Sequence, residues 1–224
     1  GTAATNCDGS VWLADRSYTP GSFGYVGGTN GFIAAAISNV CPPAQVLYHR
    51  ERYSTTASTF DYLFDCPEGR YEITLLQAEN WVTGMSQRVF DLYIEGQRTL
   101  TNFDIFAAAG GMHMPLVQTF TNEVSDSRLE LHFIPWVDNA RVAAIRVHKV
   151  GDVDTDHDGL PDWWMRGWFD HPTGQDADLS QAHQDADGDG FNNAEEFVAL
   201  TSPVDPDDYP VILRVEADPE PTVI

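Results

Sequence analysis

From about Val46 to His148 the apolar residues alternate with polar ones, the period-2 pattern of half-buried β-strands. Phe60, Tyr62 and Phe64 share one face of such a segment, as do Tyr71, Ile73 and Leu75, then Phe90, Leu92 and Ile94. Leu129, Leu131 and Phe133 form another set, and Ala143, Ile145 and Val147 the last. Turn residues separate them, at Pro67 to Gly69, Gly84, Gly96, Gly110 with Gly111, and Asp126. Short strands with turns this frequent each leave one apolar face to be covered by another sheet, so the pattern predicts a mainly β fold, an antiparallel β-sandwich. The first 45 residues, rich in Gly, Ala and Tyr and weakly periodic, predict one strand and long loops.

At Gly151 the alternation stops, Asp becomes the commonest residue, and two short helical segments are predicted. The expected organisation is a sandwich over 1–150, a small α/loop domain over 151–210, and a linker or the start of a following module over 211–224. Within that last stretch VILRVEA reads as a strand without a partner, which predicts that the chain is cut from a longer polypeptide. No apolar run reaches the ~20 residues of a membrane-spanning helix. The start, GTAATNCDG, has no basic or apolar leader, so an export signal is expected to have been removed. Three cysteines, Cys7, Cys41 and Cys66, permit one internal disulfide whose pairing the sequence leaves open.

Charge sharpens the reading of the C-terminal third. The net charge is −22 with only 12 Lys and Arg, which excludes a nucleic-acid binder and disfavours an anionic membrane. Between Gly151 and Pro210 stand 14 Asp and 2 Glu against the single Arg166. A solvated acidic tail would lack aromatics, whereas this stretch carries Trp163, Trp164, Trp168, Phe169, Phe191 and Phe197. Acid clustered among core-type residues points to cation ligands.

Two segments 31 residues apart, DTDHDGLPDWWM from Asp154 and DADGDGFNNAEE from Asp185, follow the EF-hand loop pattern. A hard cation such as calcium takes six to eight oxygens, and a 12-residue loop supplies them from positions 1, 3, 5, 7, 9 and 12, with Gly at 6 for the turn. The second loop offers Asp185, Asp187, Asp189, the Phe191 carbonyl, Asn193 and a bidentate Glu196. The first offers Asp154, Asp156, Asp158, the Leu160 carbonyl and Asp162, with Met165 where the last carboxylate belongs. Two calcium sites are therefore expected, the second stronger, the first borrowing an acid from Asp152, Asp170, Asp176 or Asp178. Helical faces made of Trp163, Trp164 and Trp168, and of Phe197, Val198 and Leu200, are expected to pack the loops together. The tail resembles the thrombospondin type 3-like and dockerin-like calcium repeats of secreted bacterial multidomain proteins, most closely in GDGFNNAEEFVALTSPVDPDD. The resemblance implies an extracellular protein in which this segment is a calcium-stabilised spacer; its alternative is a scaffold segment docking on a cohesin-like protein.

The N-terminal part carries five blocks in order: FGYVGG at Phe23, VLYHRERY at Val46, YEITLLQAENW with QRVFDLYIEG from Tyr71, NFDIFAAAGG at Asn102, and VDNARVAAIRV at Val137. They resemble malectin and the malectin-like modules attached to bacterial glycoside hydrolases. That resemblance implies a jelly-roll sandwich binding an oligosaccharide or polysaccharide, glucose-containing, through a loop-built pocket. Carried over residue by residue, the pocket falls on Tyr25, Tyr53, Trp81, Val82 and Asp138. Val82 stands where the family has an aromatic, which removes one stacking wall. The chemistry is sound, since a sugar presents an apolar CH face to an aromatic platform and hydroxyls to a carboxylate.

Arg52 and Glu79 read either as supports behind the pocket residues or, in the favoured reading, as an ordinary cross-strand ion pair, and Asp61, Asp91 and Asp104 as turn or strand-end acids satisfied by backbone donors. The seven His show no metal-ligand spacing. No nucleophile elbow, phosphate loop or zinc pattern is present. A glycosidase built from dispersed acids such as Glu72, Glu79 and Asp138 is the enzymatic alternative. The sequence favours a non-catalytic, monomeric binding module joined to further modules of the same polypeptide.

Overall fold

The computed structural model describes residues 3–55 and 57–210, so the strand expected at 211–217 lies outside the described residues. The chain divides into two compact units, Gly1–Gly151 and Asp152–Ile224.

In the first unit the strands are β1 (Ala4–Thr5), β2 (Val11–Trp12), β3 (Phe23–Gly27), β4 (Thr29–Phe32), β5 (Arg50–Tyr53), β6 (Phe60–Asp65), β7 (Gly69–Ala78), β8 (Val89–Ile94), β9 (Gln97–Phe103), β10 (Pro115–Val124), β11 (Arg128–Val137), β12 (Arg141–Val142) and β13 (Ala144–Gly151). They pair in four sheets, ordered β3-β6-β11-β8-β9, β10-β7-β13, β12-β5-β4 and β1-β2. All the pairings between these strands are antiparallel. The alternation read in the sequence explains the main layers. Phe60, Phe90, Leu92, Ile94, Leu129, Leu131 and Phe133 point from the five-stranded sheet into one core, where Tyr71, Ile73 and Leu75 of β7 meet them. Two sheets with one apolar face each have covered one another, as a sandwich requires.

Strand β7 is apolar on both faces, ITLLQA, because both are covered. Leu76 and Ala78 pack on its far side against Ile37, Ala44, Leu47 and Tyr48. Leu47 and Tyr48 belong to α1 (Gln45–His49), so the first half of the VLYHRERY block is helical and departs from the alternation expected from Val46. Pro42 and Pro43 open the preceding 3-10 turn, where a missing N–H does no harm, and β7 supplies the apolar surface that holds the helix down. The N-terminal 45 residues also hold more strands than the single one expected, four in all.

Cys7 is bonded to Cys41, and Cys66 is left as a half-buried thiol. The bridge closes a separation of 34 residues and ties the β1-β2 ribbon to the turn before α1. Reduction is expected to cost ~3–4 kcal/mol of stability by loop-closure entropy. Urea unfolding with and without reductant measures this; a midpoint that does not move would contradict it.

The second unit contains α3 (Asp162–Phe169) and α4 (Asn193–Ala199). Its core is Leu160, Trp164 and Met165, joined by Phe169, Ala182, Ala194 and Phe197. The helical faces expected to bury three residues each bury fewer: Trp163 and Trp168 are largely exposed, and Val198 and Leu200 more so. The inward positions are taken by Met165 and Glu196, the twelfth residues of the two Asp-rich loops.

Candidate functional site

Strand β7 ends at Ala78, and the next four residues are fixed from beneath. The fully buried Glu79 carboxylate accepts the backbone amides of Trp81 (2.9 Å) and Val82 (3.1 Å) on one oxygen. Its carbonyl accepts the His113 amide (2.8 Å), while the Asn80 amide nitrogen donates to the Tyr48 carbonyl (2.8 Å). Trp81 is thereby lifted out of the loop at 71% exposure, whereas Val82 is 9% exposed and offers little surface to a ligand. An exposed indole on a backbone held this firmly is unusual for a packing residue.

Glu79 is also the centre of a buried ion network. Its second oxygen lies 3.2 Å from Arg88 Nη1, and Arg141 Nη1 lies 3.6 Å from the first. Arg88 continues to Asp138, with Nη2 at 3.0 Å and Nε at 3.3 Å from Oδ2. Arg141 continues to Glu51 through a close ion pair. Arg88 and Arg141 are 2% and 1% exposed, so each depends on its carboxylates to offset desolvation. Burial, the largest influence, lowers the Arg141 pKa, and Glu51 most strongly opposes it.

Asp138 follows β11 in the left-handed backbone region (φ 58°), a conformation Asp tolerates better than most residues. Tyr53 enters from β5, in register with Arg141 and two residues from Glu51 on the same strand face. The structure therefore brings Trp81, Val82, Asp138 and Tyr53 around one buried charge cluster. Tyr25 has a partner of its own. The Arg52 guanidinium lies over the Tyr25 ring, 3.1 Å from its centroid, and donates to Asp15 (2.8 and 3.0 Å). The expected Arg52–Glu79 pair is thus replaced by Arg52–Asp15 and Glu79–Arg88. Gly24, before Tyr25, has no room for a side chain, since a Cβ would meet the Arg16 carbonyl oxygen at 2.5 Å.

Arg88 and Arg141 are the site residues that sequence reasoning missed. The available signal was two arginines beside apolar strand segments, in QRV and NARV, where a buried cation needs a carboxylate partner. Asp91, read as a strand-end acid, lies within β8 and is held by the Asn102 amide (2.7 Å) and Arg98. Asp104 caps α2 (Ile105–Ala109) by accepting the Ala107 amide, and Asp61 pairs with His132.

In the second unit, ligand oxygens of Asp185, Asp187 and Asp189 lie within 4.8 Å of one another, and so do those of Asp154, Asp156 and Asp158. Around the second loop, one oxygen each of Asp187 and Asp189, the Asn193 side-chain oxygen and both Glu196 oxygens are buried with no hydrogen-bond partner. Asn193 directs its nitrogen to the Leu179 and Gln181 carbonyls (2.8 Å each), which turns the oxygen the other way. Asn192 closes a capping box with Glu195 at the start of α4 and so fixes where Glu196 falls. Burial first, then the charges of Asp187, Asp189 and Asp185, push the Glu196 carboxyl up to about 7.

Because that folded-state value lies above the ordinary carboxyl range, the folded chain without a cation binds an extra proton that the unfolded chain releases at lower pH. The stability of the cation-free second unit is therefore expected to fall as pH rises from about 4.5 to about 7. Thermal melts across that window test the sign; stability rising with pH would contradict it.

The first loop differs. Asp162 is buried and turned away, accepting the Thr155 amide and hydroxyl (2.8 Å each) and Arg166 (3.1 Å). Asp158 accepts the Leu160 (2.9 Å) and Ala182 (3.1 Å) amides on its two oxygens, and Asp156 accepts the Gly174 amide (2.7 Å). Three of the acids expected to be borrowed have partners elsewhere: Asp176 accepts from Gln184, Asp178 pairs with His171, and Asp152 accepts from Trp163; Asp170 stands at the end of α3 in the left-handed backbone region. Leu160 and Phe191 could serve only through their carbonyls; the Leu160 side chain is core.

The sandwich with its buried Glu–Arg pairs can be placed among known proteins. A family model for the malectin domain matches residues 1–152. The chain belongs to the malectin-domain family. Malectin-B of Xenopus laevis is 30% identical over 121 residues, 48% of this chain and 44% of that protein. A probable LRR receptor-like serine/threonine-protein kinase of Arabidopsis thaliana is 30% identical over 99 residues, 42% of this chain and 10% of that protein. The chain spans less than half the length of these curated relatives. Among solved structures, the malectin domain is similar to part of a Bacteroides uniformis beta-glucuronidase (TM-score 0.58, 22% identity, 66% of this chain, 17% of that one). It is also similar to the plant receptor-like kinase ANX1 (TM-score 0.55, 17% identity, 65% and 43%). Both likenesses concern the fold alone. Among the described residues no helix is long and apolar enough to cross a membrane.

Proposed function

We propose that the malectin domain is a non-catalytic module that binds oligosaccharide or polysaccharide chains, glucose-containing ones first, as part of a longer extracellular polypeptide. The observation that carries this reading is Trp81, exposed on a backbone anchored by Glu79 and linked through Glu79 and Arg88 to the half-exposed Asp138. An aromatic platform next to a carboxylate already held by one arginine suits a sugar's CH face and hydroxyls. Screening the protein on a glycan array tests it directly. Saturable binding to glucose-containing chains supports the reading, and silence across the array with binding to a protein partner would replace it.

The second unit, on this reading, is an EF-hand-like, thrombospondin type 3 or dockerin-like calcium segment. Five buried, unpartnered oxygens around the second loop, one each from Asp187, Asp189 and Asn193 and two from Glu196, supply most of the ligand set a calcium ion requires, which Asp185 and the Phe191 carbonyl would complete. The first loop, lacking both Asp162 and a carboxylate at Met165, holds calcium more weakly. The second reading, a segment docking on a cohesin-like protein, is favoured by the exposure of Val198 (81%) on α4 and of Leu200 (88%) at its C-terminal cap. Capture of a cohesin by the intact chain, lost on Leu200→Asp, would decide for it. An enzymatic role has no comparable support, since Glu79 is locked between Arg88 and Arg141 and Glu72 is paired with Arg146 on another strand face.

A further inference from the structure

We infer that Arg88, acting with the buried Glu79, is a positioning residue that sets Trp81 and Asp138 in one fixed relation and so determines the affinity of the carbohydrate site. The inference rests on the site proposed above, but its structural half stands on geometry alone.

Trp81 and Asp138 come from loops 57 residues apart in sequence, and neither is held by its own strand. Glu79 fixes the first by accepting the Trp81 and Val82 amides (2.9 and 3.1 Å). Arg88 fixes the second by donating Nη2 and Nε to Asp138 Oδ2 (3.0 and 3.3 Å). One contact joins the halves, Arg88 Nη1 to the remaining Glu79 oxygen at 3.2 Å. The guanidinium is planar and forked, so the same side chain can present different nitrogens to two carboxylates at once. At 2% exposure it has no water to relax into, and its direction is set by those two partners.

Two consequences follow for the ligand. Asp138 Oδ2 is occupied by Arg88, which leaves Oδ1 to accept from a sugar hydroxyl. The Trp81 backbone is held in place, because its amide is anchored to the carboxylate that Arg88 neutralises. The site meets its ligand already arranged, and little ordering cost is paid on binding.

The test uses Arg88→Lys in the full chain with calcium present, and Arg88→Met beside it. Lysine keeps the charge but, as a point donor, cannot span both carboxylates. Two measurements are made: amide hydrogen exchange at Trp81 and Val82, which needs no ligand, and calorimetric titration with maltotriose. Arg88→Lys is expected to remain folded with a lower melting temperature, as Asp138→Ala does, and to speed exchange at both amides by at least about tenfold and weaken maltotriose by about the same factor. Arg88 touches neither amide, and Glu79 is the residue that contacts both Arg88 and the two amides, so the change is expected to travel through it. Unchanged exchange and unchanged affinity in Arg88→Lys would overturn the inference, even if Arg88→Met fails to fold. If the parent chain does not bind maltotriose, glucose recognition in that form fails, while the exchange rates still decide whether Arg88 positions the loop.

Discussion

Chelation of calcium is expected to unfold the second unit while the malectin domain stays folded. The physical reason lies in Glu196. Its carboxylate is fully buried and unpaired, and three aspartates stand close enough to raise its pKa. Charges so placed destabilise the fold unless a cation joins them, and a divalent ion bound only by the folded form adds stability by mass action. With calcium at a hundred times its dissociation constant the gain is ~2.7 kcal/mol, a large share of what so small a unit can have. Differential scanning calorimetry should show two transitions with calcium, the one belonging to the second unit disappearing with EDTA. Glu196→Gln should weaken the stronger calcium site by more than about tenfold, or ~1.4 kcal/mol. Asp162→Asn should leave calcium affinity nearly unchanged, because Asp162 faces Thr155 and Arg166. A single transition indifferent to EDTA would remove calcium from the account.

The second large effect concerns the sugar. Trp81→Ala is expected to lower affinity for the best glycan by about thirtyfold, ~2 kcal/mol, as for a central aromatic contact. Stability should hardly change, since the side chain is 71% exposed and touches no core cluster. Asp138→Ala should match that loss of affinity but also lower the melting temperature, because it leaves Arg88 buried with one carboxylate in place of two. The pair of variants thus separates recognition from support. Tyr25→Phe should leave binding intact, given that the Tyr25 ring is covered by Arg52. Fluorescence quenching or calorimetry against the same glycan reads all three. Unaltered binding in Trp81→Ala would move the site elsewhere on the domain.

Much of the fold was legible because it is written in local periodicity. The sets Phe60 to Phe64, Phe90 to Ile94 and Leu129 to Phe133 each name one face of a strand, and those faces meet in the core. The break at Gly151 was legible in composition for the same reason. Leu47 and Tyr48 were not, because a five-residue helix gives no full period and is held by the far face of β7. The Asp-rich loops were legible as a repeat, yet the pattern assigned Asp162 an inward role that Thr155 and Arg166 take from it.

The candidate sugar site divides along the same line. Trp81 and Asp138 were both legible through the family resemblance. What the sequence by itself determined is the alternation that makes a sandwich and the acid spacing that makes two loops, since both depend on neighbours a few residues apart. Only the tertiary structure decided that Glu79 pairs with Arg88 and not Arg52, that Arg88 reaches Asp138 across 50 residues, and that Arg52 lies over the Tyr25 ring. A buried charge chooses its partner by distance in space, and nothing in the spacing along a chain records which of several arginines will be within 3 Å.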